Sequence, residues 1–420
     1  MIPYEKFILE NGLRVIVHRD TSTPMVAMNI LYDVGARDED PESTGFAHLF
    51  EHLMFGGSIN IAKYDEPLEA VGGQNNAFTS NDVTNYYLTV PRQNLETAFW
   101  LESDRMFGLA FSEKSLEVQR NVVSEEFRQT HLNQPYGDVW LLLRPVAYQV
   151  HPYRWPTIGK EINHITNARM EDVRAFYDKY YNPDNAVMVV AGNVTTDEVR
   201  KLAEKWFAPI ANKGRHVRNL PQEPPQQEAH RIEVERQVPA DAIYKVWHMG
   251  SRLDPDYHTT DLISDVLGKG DSSRFYQHLI KGKKLFLELD AFILGSFDKG
   301  LFVVAGHPAK GISLQTAEAA IDEQLLALTH QPPTAAELQK VKNKVEATLV
   351  FSRMNVLDKA MNLAFAEVLG EANLINLEAK KYQSVTTEMI RDTASSIFRH
   401  ENSTTLFYKS TEAQNHDTKL

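Results

Sequence analysis

The chain has 420 residues, 43% hydrophobic and 24% charged, the balance of a globular protein too long for one ordinary core. It has no cysteine, which excludes disulfides and thiolate metal sites, and its formal net charge of -12 argues against nucleic acid as a partner. No apolar run reaches the roughly 18 residues of a membrane span, and Met1-Ile2-Pro3-Tyr4-Glu5-Lys6 lacks the basic-then-apolar pattern of a secretory signal. The expectation is a cytoplasmic protein with no membrane partner, or a periplasmic one if a signal was removed.

In chain order, Lys6 to Val17 predicts two strands around an Asn11-Gly12 turn, and Val26 to Tyr32 a third strand that ends at Gly35-Ala36-Arg37. Helical signals follow from Ser43, with Ser43 or Thr44 as the cap and Gly56-Gly57 as the stop. Thr84 to Val90 is rich in strand formers. From Asn94 to about Leu132 apolar residues recur at helical spacing, which predicts two helices broken near Gly108, the second capped by Ser112. Ala186 to Ala191 reads as a buried strand, and Thr195 to Glu198 has capping-box spacing at the start of a helix.

Residues 209–228 carry Pro221, Pro224 and Pro225 among polar residues without periodicity, the pattern of a linker. It divides the chain into a domain at 1–208 and a second at 229–420. The halves resemble each other: Met28 to Arg37 parallels Tyr244 to Arg252, each a strand running into Gly-small-Arg and then a helix. The second half adds strands at Ala291 to Leu294 and Leu301 to Ala305 and a helix near Thr334 to Arg353. Hairpins and helices without regular βαβ alternation predict an α+β fold of two homologous domains.

His48 and His52, four residues apart, lie on one face of a helix, with Glu51 on its neighbouring edge. Two imidazoles at this spacing can hold one zinc ion while a carboxylate stands beside the site. A third ligand must come from elsewhere. The helix after Ser112 offers Glu125 and Glu126. Glu126 is preferred because it shares a face with Val122 and Gln119, while Glu125 lies about 100° away. His151, His164 and His307 stand near Pro or Asn and read as surface or capping residues. His248 has no partner at metal-ligand spacing. Gly268 to Ser273 lacks the spacing of a phosphate-binding loop.

His48-x-x-Glu51-His52 followed by Glu126 resembles the inverted-motif zinc peptidases of the M16 family, the pitrilysin, insulin-degrading and mitochondrial-processing type. The likeness includes Gly35-Ala36-Arg37, Asn76-Ala77-Phe78-Thr79, Tyr86-Tyr87 and Tyr181-Asn182-Pro183, and it points to the short, bacterial M16B members. The resemblance implies two domains, each a mixed sheet with helices on one side, only the first binding metal. It implies one zinc per chain on His48, His52 and Glu126, with Glu51 as general base. It also implies that Asn76, Ala77 and Phe78 form an edge strand on which an extended peptide substrate pairs.

Two departures stand out. The acidic residue that the family commonly carries seven before the third ligand is Gln119 here, which can hydrogen-bond around the ligands but supplies no charge. The arginine and tyrosine with which active members hold the substrate fall on Ile280 and Leu287, which cannot stabilise an oxyanion. Arg274 and Tyr276 lie nearby at the wrong spacing. The expectation is therefore a zinc endopeptidase working in a heterodimer with a related M16-like subunit that supplies the Arg/Tyr pair, or a homodimer in isolation. The alternatives are a non-catalytic scaffold and a subunit that binds peptides without cutting them.

Overall fold

The computed structural model describes residues 1–411. It contains two compact units. The first comprises Met1–Thr130, Trp155–Pro221 and Leu349–Leu377, and the second His131–Arg154, Gln222–Thr348 and the chain from Glu378 onward. The Pro221/Gln222 boundary lies within the 209–228 segment. Neither unit is a single stretch of chain, so the division differs from one cut between 208 and 229.

The first unit is built on six strands: β1 (Glu5–Ile8), β2 (Arg14–Arg19), β3 (Met25–Tyr32), β4 (Gln74–Thr79), β5 (Thr84–Pro91) and β6 (Ala186–Gly192). Their order across the sheet is β1-β2-β6-β3-β5-β4, with β2 and β6 parallel and the other neighbours antiparallel. β6 is buried at every residue, as expected for an unbroken apolar run in the middle of a sheet covered on both faces.

The second unit contains β7 (His230–Arg236), β8 (Ala242–His248), β9 (Phe286–Leu294), β10 (Leu301–Pro308) and β11 (Ser403–Ser410), in the order β7-β11-β8-β10-β9. Without β1, the two sheets match strand for strand. In each, the first pair is parallel and the rest are antiparallel. This repeated topology is the structural counterpart of the internal sequence likeness.

Helices cover both faces of each sheet, not one. In the first unit the rings of Tyr32 and Tyr86 meet Tyr181, which stacks on Phe50. Lys6 and Arg14 fall on the opposite face by register, and both pair with Glu367 of the helix Val356–Leu369. That helix comes from the second half of the sequence. It buries Val356, Ala360, Leu363, Ala364 and Glu367, one stripe at helical spacing, and the small Ala360 and Ala364 permit close approach. In the second unit the matching face is covered by Val139–Ala147, from the first half. Val139, Leu143 and Ala147 share a core with Ala242, Val246, Val303 and Leu406. The two halves have thus exchanged equivalent helices. The apolar faces these helices cover are the physical reason that a single cut cannot define the units.

A chain ending at residue 221 lacks Val356–Leu369 and leaves one face of its sheet bare. Such a fragment is expected to be aggregated or molten by near-ultraviolet circular dichroism, and to become soluble and ordered when co-expressed with residues 222–420. A well-folded, monomeric 1–221 fragment would contradict this.

Candidate metal centre

The helix that carries His48, Glu51 and His52 spans Phe46–Leu53 and buries Phe46, Ala47, Leu49, Phe50 and Leu53. Phe50 anchors it, stacking on Phe176 at 5.0 Å and on Tyr181 at 5.2 Å between ring centroids. With that side buried, His48, Glu51 and His52 are left on the half-exposed side.

Its amino end is not capped as expected. Neither Ser43 nor Thr44 caps it; the N-cap is Gly45, with no side-chain bond. Gly45 has φ +89°, and a Cβ there would lie 2.6 Å from the Ile158 carbonyl oxygen, so only glycine fits. The buried Glu39 carboxyl group does the capping instead, its oxygens accepting from the N–H groups of Gly45 and Ala47, each at 2.8 Å. Those N–H groups would otherwise be orphaned at a positive helix end. Thr44 serves elsewhere: its N–H donates to His164 Nδ1 at 3.0 Å.

The second contributor is the helix Glu113–Phe127, capped by Ser112 as its sequence predicts and continued by a π-helical turn at Arg128–Leu132. Its buried residues are Leu116, Val123, Ser124 and Phe127. Val122 is 45% exposed, so the apolar face is not the one that the sequence pattern assigned. Glu126 nevertheless turns to the histidines, because it flanks Val123 and Phe127. Glu125 turns to solvent, where it meets Arg128 and Gln129.

Glu126 Oε1 lies 3.8 Å from His48 Nε2, and Oε2 lies 3.5 Å from His52 Nε2. One ligand atom from each of these three residues falls within 4.8 Å of the others. The separations exceed those of hydrogen bonds. They sit near the edge of about 3.3 Å expected for a tetrahedron with metal–ligand bonds of roughly 2.0–2.1 Å. A set of two imidazoles and one carboxylate, with no thiolate in the chain, suits zinc. Burial pushes the His48 pKa down; Glu126 and Glu51 pull it up and His52 pushes it further down, leaving it below the usual value. The neutral imidazole is the form that binds metal.

Glu51 does not join the three donors. Its Oε2 accepts from Thr79 Oγ1 at 2.6 Å, which turns the carboxylate toward β4. Asn76, Ala77 and Phe78 lie on β4, an edge of the sheet, with Asn76 and Phe78 exposed. Asn76 Oδ1 accepts from the Ala77 N–H. Gln119 is half-buried, two turns before Glu126, and makes no hydrogen bond to His48, His52 or Glu126 among the described residues. In the second unit Ile280 is half-buried and Leu287 is 68% exposed on the edge strand β9. Arg274 is held by Glu337 and by the Gln331 carbonyl, a structural role. His151 is buried, not on the surface, but it does cap the turn that follows: its Nδ1 accepts from the Tyr153 N–H at 3.2 Å, and its Nε2 lies 3.3 Å from Asp298. His248 bonds the Ala147 carbonyl through Nε2, and His307 bonds that of Asp241 through Nδ1.

Sequence reasoning missed Glu39 altogether, and it named Thr79 without its bond to Glu51. Glu39 precedes Gly45 by six residues, whereas local capping rules look only about three residues along the chain. Thr79 is distant in sequence from Glu51, and only the β4 register brings them together.

Two expectations follow for Glu39. Replacing it with Ala removes both acceptors, which should cost roughly 1–2 kcal/mol of stability and weaken metal binding by titration calorimetry. Burial also pushes the Glu39 carboxyl up to about 8, against the pull of the Gly45 and Ala47 N–H groups. A raised folded-state pKa means that the folded protein keeps a proton which the unfolded chain releases. The contribution to stability is complete below the usual carboxyl range and is lost as pH rises through about 8. Wild-type protein should therefore lose melting temperature relative to Glu39→Gln between about pH 5 and about pH 9. Parallel curves would contradict the assignment.

The chain is similar in sequence and fold to known proteins. The family profile described as Insulinase (Peptidase family M16) matches residues 14–159, and the profile described as Peptidase M16 inactive domain matches residues 167–345. The zinc protease PqqE of Helicobacter pylori is 30% identical over 97% of this chain and 93% of its own length. The uncharacterized zinc protease YmxG of Bacillus subtilis is 26% identical over 89% of this chain and 93% of its own. Among solved structures, a protease from Helicobacter pylori superposes with TM-score 0.91 at 27% identity, covering 97% of this chain and 100% of that one. A peptidase M16 inactive domain from Pseudomonas fluorescens shares the fold, with TM-score 0.88 at 16% identity and 98% coverage of both chains. Among the described residues no helix is long and apolar enough to cross a membrane. With a relative 30% identical across nearly all of both chains, and M16 profiles matching residues 14–159 and 167–345, this chain is a bacterial-type member of peptidase family M16.

Proposed function

We propose that the chain is a zinc-dependent endopeptidase that hydrolyses extended peptides. What carries the reading is the convergence of His48, His52 and Glu126 within 4.8 Å, beside a glutamate that is not one of the three. His48, His52 and Glu126 would hold the ion. When bound, zinc supplies Lewis acidity, polarising a scissile carbonyl and bringing the pKa of water down to roughly 7. Glu51 accepts the proton of the attacking water as the water oxygen bonds to the carbonyl carbon. It then passes that proton to the amide nitrogen as the C–N bond breaks, so one water is consumed and an acid and an amine leave. The free edge of β4 offers backbone groups to an extended substrate, with Asn76, Ala77 and Phe78 beside it. Gln119 would lend polarity near the ligands without charge.

Ile280 and Leu287 leave this chain without side chains that stabilise an oxyanion at those positions. The proposal therefore includes a related subunit that brings an arginine and a tyrosine. A purely scaffolding role draws on the inactive-domain match at 167–345, but the three donor residues all lie outside that segment.

Glu51→Gln should lower peptide turnover by about 10²–10⁴-fold while one zinc per chain stays bound by metal analysis. His52→Ala should lose the zinc. Turnover unchanged in Glu51→Gln would refute the base. Mixing the chain with its candidate partner should raise turnover well above that of either alone; equal turnover by the lone chain would refute the shared site.

A further inference from the structure

We propose that Thr79 is the positioning residue for Glu51, an inference that rests on reading Glu51 as the general base. A glutamate on a half-exposed helix face has three rotatable side-chain bonds, and a base works only if one oxygen is held in line with the proton it takes. Thr79 Oγ1 donates to Glu51 Oε2 at 2.6 Å, and among the described residues this is the carboxylate's one hydrogen bond. The bond occupies Oε2 and leaves Oε1 as the free acceptor.

The donor is itself fixed. Along β4 the side chains alternate: Gln74, Asn76 and Phe78 are exposed, whereas Asn75, Ala77 and Thr79 are half-buried. Thr79 pairs with Thr84, which is fully buried and donates through Oγ1 to the Val34 carbonyl at 2.9 Å. The next residues form a turn closed by the Ser80 N–H on the Val83 carbonyl at 2.9 Å, and Ser80 Oγ accepts from the N–H groups of Asp82 and Val83. Asp82 is tied to Arg37 at 3.1 Å. Sheet pairing, turn and ion pair together hold the Thr79 backbone, and its β-branched side chain has few rotamers. The hydroxyl is a preorganised donor, of the kind that keeps a catalytic group in its working geometry. It also places the orienting group on the strand proposed to pair with substrate, so one strand sets both the peptide and the base.

Thr79→Val keeps the branched shape and removes the donor; Thr79→Ser keeps the donor. In the presence of the partner subunit, Thr79→Val should lower kcat roughly 10-fold or more, with KM and zinc affinity within about twofold of wild type, and Thr79→Ser should restore most of the loss. A crystal structure of zinc-free Thr79→Val should show the Glu51 carboxylate moved from its wild-type position. The proposal is overturned by wild-type kcat in Thr79→Val, by zinc affinity falling in parallel with kcat, or by an unmoved Glu51. Glu51→Gln assayed alongside separates the two failures. If it loses turnover while Thr79→Val does not, only the positioning role falls. If it keeps turnover, the base assignment falls and the Thr79 inference with it.

Discussion

The Phe46–Leu53 helix is held from two sides, by the rings packed around Phe50 and by the Glu39 carboxyl group at its amino end. The aromatic stack fixes its rotation and the carboxyl group fixes where its first turn begins. Rotation decides whether His48 and His52 face outward, and axial position decides whether they meet Glu126. With 1.5 Å of rise and 100° of turn per residue, a slip of one residue would point one imidazole away from Glu126. The three donors share a 4.8 Å region because both degrees of freedom are constrained by groups that bind no metal.

The duplicated architecture gives these constraints to one sheet only. Apart from β1 both sheets have the same strand order, and each takes a helix from the opposite half of the chain, yet only the first unit carries the three donors among the described residues. In the second unit the helix after Gly250-Ser251-Arg252, Tyr257–Gly268, turns most of its residues inward. Its His258 pairs with Glu378 and its Asp261 accepts from Tyr382, so polar groups satisfy one another there. The same frame carries the three donors in the first unit and mutually bonded polar side chains in the second.

Much of this was legible from local pattern. The fully apolar run at Ala186 to Ala191, the Ser112 cap and the spacing of His48 and His52 each follow from forces acting over a few residues, and each appears as expected. The pattern favours Glu126 over Glu125 through Val122 and Gln119, yet Val122 is exposed, and the direction of Glu126 is set by Val123 and Phe127. Thr195 does cap its helix, while Glu198 turns to Arg92 instead of closing a capping box. The parts that sequence left hidden are long-range. A carboxyl group six residues before a glycine has no periodic signature, and an amphipathic helix such as Val356–Leu369 declares an apolar face without declaring which sheet it covers. Pairing across 28 residues, from Glu51 to Thr79, becomes visible only once the edge strand is in register.

The central claim is that His48, His52 and Glu126 together hold one zinc ion. Anomalous diffraction measured on both sides of the zinc absorption edge, from crystals of the purified protein, tests it without reference to turnover. The account predicts a single zinc peak per chain, bounded by His48 Nε2, His52 Nε2 and the Glu126 carboxylate, with Glu51 outside the ligand set. A zinc peak elsewhere on the chain, or one ligated by Glu125 or Glu51 in place of Glu126, would contradict it.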